Sequence, residues 1–297
     1  MDCRSDCHEA GTTEYRRDRR ICRLAAAVAP AYAGLAAAHA ARSGEFRFDL
    51  GDEMVKMRTA AEKAIQLDPL LAEAHDALGM AYAREARWQE SEKSIRRSIE
   101  LDPGSSESHE NFAMFLLWPL GRLDESAKQL RMAEQADPLS AIIHDGMYNV
   151  LIARGRYDEP EMECEKLPEK SGRSECLGRV KLGQGKTEQA IQVFTAALSQ
   201  GLTGGNQVRG FLGFAFGRAG RRAEAEKLKA DTPSVNPINH ALIFAGLGDK
   251  DRTFEALERA AAGGPFRIGR ALTWPELSLL RGDPRLKTLR RKVGLPE

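Results

Sequence analysis

Three histidines, His75, His109 and His144, recur about one repeat length apart, and a row of imidazoles is the first place to look for a metal. One ion would need their nitrogens at about 2.0–2.1 Å. Equivalent positions on successive helices lie about 8–10 Å apart, so the row reads as structural and no metal is expected. Cys3, Cys7 and His8 form C-x-x-x-C-H, one residue longer than the haem-attachment spacing and without a further ligand pair at zinc-site spacing. The glycine-rich stretch 201–210 contains no lysine and reads as a linker rather than a phosphate cradle. P-loop, zincin, nucleophile-elbow and kinase signatures do not occur. The enzymatic alternative is a hydrolase that uses paired carboxylates, or the histidine row with a metal. It would need burial to separate the pKa values of its acid and base. Binding is favoured over catalysis, and no cofactor is expected.

The chain has 297 residues, with 44 Lys and Arg against 43 Asp and Glu for a net charge of +1. No global excess draws it to nucleic acid or to a membrane surface. Five cysteines scattered over this length are not a disulfide framework, which points to a reducing cytoplasm. No apolar run reaches the roughly 18 residues of a membrane span. An arginine run at 16–20, an apolar stretch and Ala38-His39-Ala40 imitate a secretory signal. Residues 31–40 also fit a repeat, and the cytoplasmic reading is kept.

The elements that must position these residues are helical. Pro69, Pro103 and Pro138 recur at a spacing of about 34 residues. Segment 72–103 holds two amphipathic patterns on either side of Ala86-Arg87-Trp88, with Leu78-Gly79, Tyr82, Ile95, Ser98 and a closing Pro103. In these residues it resembles a tetratricopeptide repeat (TPR), a helical hairpin of that length. Segment 106–138 repeats the pattern with one extra residue near Trp118-Pro119, and 141–169 repeats it with Pro160 where a small residue is usual. The second helix there is expected to start at Asp158 and to be short. Segments 171–202, 206–230 and 236–261 continue the array, and 31–69 precedes it with a long polar turn.

The resemblance implies an all-α, right-handed superhelix (α-solenoid) of about seven TPR units with a C-terminal capping helix. The expected division is a poorly ordered leader at 1–28, a solenoid at 29–262 and a capping segment at 263–297, with Asp283-Pro284 opening the last helix. The segments AYAGLAAAHA, IFAGLGDKDRTFEALERA and DPRLKTLRRKVGLP also look like the C-terminal TPR region of bacterial multidomain signalling proteins. Those carry winged-helix, nucleotidyl cyclase or Ser/Thr kinase domains that do not occur in this sequence. The expected function is therefore a protein-interaction module in bacterial signalling, or a scaffold fragment of a longer regulator.

TPR grooves are lined by fixed places on the first helix of each unit. Carried over residue by residue, these are Glu73, Asp76, Met80 and Arg84, then Glu107, Glu110, Met114 and Trp118, then Asp145 and Asn149. Such a surface implies a protein or peptide partner with basic side chains and an apolar anchor. Arg179, Gln207, Phe214 and Arg218 give the later units an uncharged or mildly basic lining.

Overall fold

The computed structural model describes residues 13–43, 51–168, 172–201, 207–233 and 236–296, and among these there are helices and no strands. Two compact units divide the chain, Met1–Ser108 and His109–Glu297. The division falls inside the repeat array.

In the first unit, α1 (Thr13–Ser43) pairs with α2 (Gly51–Leu67), and α3 (Ala72–Arg84) pairs with α4 (Trp88–Leu101). Residues 13–28, expected to belong to a leader, are helical from Thr13 on and continuous with the first hairpin. Their alanine content sustains a helix that apolar periodicity did not mark. The Cys3, Cys7 and His8 motif lies outside the described residues. Small side chains build the core, with Ala36, Ala60, Ala61, Ala77 and Ala81 packed around Met57. Gly79 lets α3 and α4 approach: a Cβ there would lie 2.3 Å from Ile95 Cγ1. Ser91 Oγ reinforces the crossing by donating to the Gly79 carbonyl at 2.7 Å.

The hairpin turn needs a residue with positive φ. Gly121, Gly155, Gly185, Gly220 and Gly248 take that role in the second unit, at φ of 72–77°, whereas the first unit uses Ala86 at φ 58°.

The second unit continues from α5 (Ser106–Asn111), which spans the division, through a π-helical turn, Phe112–Leu117. Trp118 N donates to Ala113 O across that turn, which absorbs the extra residue of the repeat. Then come α6 (Leu123–Ala136), α7 (Ala141–Ala153), α8 (Pro160–Lys166) and α9 (Arg173–Gly183). Helix α8 is short, as expected, and starts at Pro160, whose missing N–H costs nothing in a first turn. The array runs on through α10 (Thr187–Ser199), α11 (Val208–Arg218), α12 (Arg222–Asp231), α13 (Pro237–Gly246) and α14 (Lys250–Ala260). It ends in α15 (Pro265–Thr273), a 3-10 turn, Pro275–Leu280, and α16 (Arg285–Lys292). Asp283 Oδ1 accepts from Arg285 N at 3.0 Å, so the last helix opens where expected.

One local cysteine pair was not read from the sequence. Cys164 of α8 and Cys176 of α9 form a disulfide, and both are fully buried. Counting cysteines tests for a framework, and it misses a single pair created when two helices stack. Closing a loop this short contributes about 2–3 kcal/mol by restricting the unfolded chain.

Candidate functional site

On the second unit, the first helices of successive hairpins present one face to the C-terminal segment, and that face is where buried polar groups gather. Arg179 of α9 is fully buried. Its Nε donates to Glu276 Oε1 at 2.9 Å and its Nη2 to Glu276 Oε2 at 3.3 Å, and Nη1 donates to Asn149 Oδ1 of α7. Asn149 Nδ2 in turn donates to the Asp145 carbonyl at 2.9 Å. Phe211 of α11 and Trp274 flank the guanidinium at 4.4 and 5.1 Å. A guanidinium this deep requires a bidentate carboxylate, because isolated burial of charge is prohibitive.

The other end of the same segment lies against the π-helical turn. Trp118 Nε1 donates to Thr273 Oγ1 at 2.9 Å. The Arg270 guanidinium sits 5.1 Å from the Trp118 ring centre and 5.0 Å from that of Phe266. Phe115 and Phe266 pack at 5.5 Å between centroids. Gly269 permits the closest approach, since a Cβ there would lie 2.5 Å from the Pro119 carbonyl oxygen. Residues 265–280, helical along most of their length, thus lie along the helices that carry Trp118, Asn149, Arg179 and Phe211, as a helical ligand would.

A second buried pair sits beside Arg179, where Tyr148 OH donates to Glu175 Oε1 at 3.3 Å. Burial pushes the Glu175 carboxyl up to about 8 against the pull of Arg179, with Asp145 and Glu276 adding to the rise. Burial, then the Asp145 and Glu175 carboxyls, also raise the Tyr148 phenol well above its usual range. Burial opposes the charge of Arg179, yet the Glu276 carboxylate holds its pKa above the ordinary value. With its donors engaged and rings on its flanks, Arg179 is arranged for gripping rather than for proton transfer.

The groove residues read from the sequence divide sharply. Met114, Trp118 and Asn149 are buried at 4%, 2% and 5% exposure, and Asp76 is buried in the first unit. Met114 is spent on packing, its sulfur 2.5 Å from where a Gly146 Cβ would stand. Met80, Arg84, Glu110 and Asp145 are half-buried, and Glu73 and Glu107 are exposed. The expectation that all of these form an open surface fails for the buried members. The C-terminal segment meets Trp118 through Thr273, and Asn149 is taken up by Arg179, which Glu276 of that segment holds, long-range contacts that repeat numbering cannot register. Thr273, Trp274 and Glu276 were missed for the same reason. The change of composition after residue 262 was the available signal.

The histidines have local duties. His75 Nε2–H donates to the Pro69 carbonyl, and His144 Nε2–H donates to that of Pro138, both at 2.9 Å. The imidazole ties each first helix to the proline that ended the previous hairpin. His109 Nδ1 pairs with Gln129 Oε1 at 2.6 Å. Ligand atoms of His144, Glu134 and Glu163 do lie within 4.8 Å of one another, a spacing that could hold a metal. Lys166 Nζ, however, stands 2.6 Å from Glu134 Oε1 and 3.1 Å from Glu163 Oε1, so an ammonium already supplies the positive charge. Residues 202–206 of the glycine-rich stretch lie outside the described residues, and the stretch ends inside α11. Among the described residues, no helix is long and apolar enough to cross a membrane.

Residues 74–107 match the tetratricopeptide repeat family model. No curated protein sequence matches the chain. Among solved structures, a tetratricopeptide repeat protein from Parabacteroides merdae ATCC 43184 is similar at a TM-score of 0.58 and 16% identity, over 74% of this chain and 92% of that one. The APC/C hetero-tetramer Cut9–Hcn1 is similar at a TM-score of 0.50 and 11% identity, over 84% of this chain and 53% of that chain. At these identities the likeness is one of fold: an all-α array of TPR hairpins.

Proposed function

We propose that this TPR array is a protein-interaction module whose first-helix faces take peptide segments, helical ones included. The observation that carries the reading is the lie of residues 265–280 along the second unit, where a carboxylate meets Arg179 and aromatic side chains fill the face. An intermolecular segment would meet the same physical requirements. In this reading the second unit's face is held by the chain itself, and a partner binds the first unit. There Glu73 and Glu107 are exposed and Met80 is half-buried. Carboxylates beside a thioether favour a segment with basic side chains and an apolar anchor.

A role in bacterial signalling, next to an effector supplied by another chain or gene, belongs to the same proposal. It is supported by the resemblance of the repeat and tail segments to the TPR regions of multidomain regulators. A cytoplasmic location is left out of the proposal. It rested on an odd, scattered set of cysteines that is not a disulfide framework, and one buried disulfide is more usual in oxidising compartments.

The test is an array of basic, methionine- or leucine-containing peptides probed with the full chain and with Glu73→Lys plus Glu107→Lys. Binding that weakens by about tenfold or more in the double variant is expected, as reversing two steering charges costs more than a kcal/mol. Binding indifferent to the reversal would remove the acidic surface from the proposal.

A further inference from the structure

We propose that the pocket between α12, α13 and α14 binds a small ligand carrying a phosphate group. The pocket has a volume of about 370 Å³ and is lined by Lys229, His240, Phe244, Arg252, Glu255 and Arg259. That volume falls within the range of small-molecule sites, and its position is independent of the first-helix faces discussed above.

The charges explain the choice of ligand. Arg252 is committed: it donates to Asp249 and Glu226 and lies 4.4 Å over the Phe244 ring. Lys229 and Arg259 have no carboxylate partner among the described residues, and both line the pocket. Both face the same imidazole. Two unneutralised cations around a concave site with an apolar floor form an anion trap, because the low-dielectric wall strengthens their field. Glu255 is the one carboxylate at the rim, and it disfavours an anion of higher charge that would approach it.

His240 supplies the geometric and protonic detail. Its Nε2–H donates to the Thr232 carbonyl at 3.1 Å, which leaves Nδ1 as the atom that can take a proton. Burial lowers its pKa, and the neighbouring Lys229 and Arg259 charges lower it further, against the pull of the Thr232 carbonyl. An arriving phosphate cancels the repulsion from those cations and favours the imidazolium. Binding is then coupled to proton uptake at Nδ1, and the imidazole midpoint is higher in the liganded state. The charged groups facing the imidazole are Lys229 on α12 and Arg252, Glu255 and Arg259 on α14. Of these side chains only the imidazole titrates near neutrality, in the same range as the second proton of a phosphate group.

Inorganic phosphate, pyrophosphate and glycerol phosphate would be titrated into the full chain by calorimetry, with the His240 ring followed by NMR as a function of pH. Saturable binding is expected, with the His240 midpoint raised by the bound anion. Lys229→Gln and Arg259→Gln should each weaken binding about tenfold, the worth of one charge-assisted contact. Glu255→Gln should strengthen it two- to threefold, in proportion to an exposed charge interaction. This variant improves binding, so it cannot be mistaken for misfolding. The proposal is overturned if no anion saturates by about 10 mM, if the lysine and arginine variants bind as the parent does, or if the His240 midpoint does not move.

Discussion

The two units solve one packing problem with different materials. The first closes its hairpins with alanine, packing small side chains around Met57 and turning α3 into α4 through Ala86 at positive φ. The second turns on glycine throughout, ties α8 to α9 with a disulfide and buries a charged network under its own C-terminal segment. Alanine packing lets backbones approach but yields little apolar area per residue. A large polar network fixes one arrangement of several helices but penalises any loss of a partner. The lesson is that a repeat pattern specifies where helices go, while the residues it leaves open decide whether a face is available or closed.

The largest effect is expected from Glu276→Ala. It leaves the Arg179 guanidinium buried without its carboxylate, which costs about 3–5 kcal/mol. Hydrogen exchange should show lost protection in α9, α11 and residues 265–280, with α1 to α4 unchanged. Equal loss in both units would break the contrast drawn here.

A second contrast is pH. The Glu175 carboxyl is raised from 4.5 to about 8 in the folded chain, so the folded state holds the extra proton between those values. Stability from this group is full below the unfolded pKa and is lost as pH rises toward 8, at up to about 1.4 kcal/mol per pH unit. Denaturation of the second unit should therefore become easier from pH 5 to about 8, and Glu175→Gln should flatten the profile. An unflattened profile would show that another group carries the dependence.

The smallest effect concerns the first unit's turn. Ala86→Gly relieves a left-handed alanine and should stabilise by about 0.5–1 kcal/mol after allowing for the freer unfolded chain. A thermal melt that moves down instead would mean that the Ala86 methyl makes contacts worth more than its strain.

The hairpins, their order and the turn after each first helix were legible in the residues alone. Gly79 and the Pro69–Pro103–Pro138 interval are signals that belong to the repeat itself. His75 and His144 each donate to the carbonyl of the proline before their helix, a contact whose spacing the repeat itself dictates. What the sequence could not decide was whether the groove places face solvent. Trp118 became interior when residues 265–280 crossed the first-helix face, Asn149 when Arg179 packed onto it, and Cys164 found Cys176 only once α8 lay on α9. Periodicity reports which side of a helix is apolar or polar. Which distant segment finally covers that side depends on shape and charge complementarity between parts of the chain far apart in sequence, and only the tertiary structure brings those together.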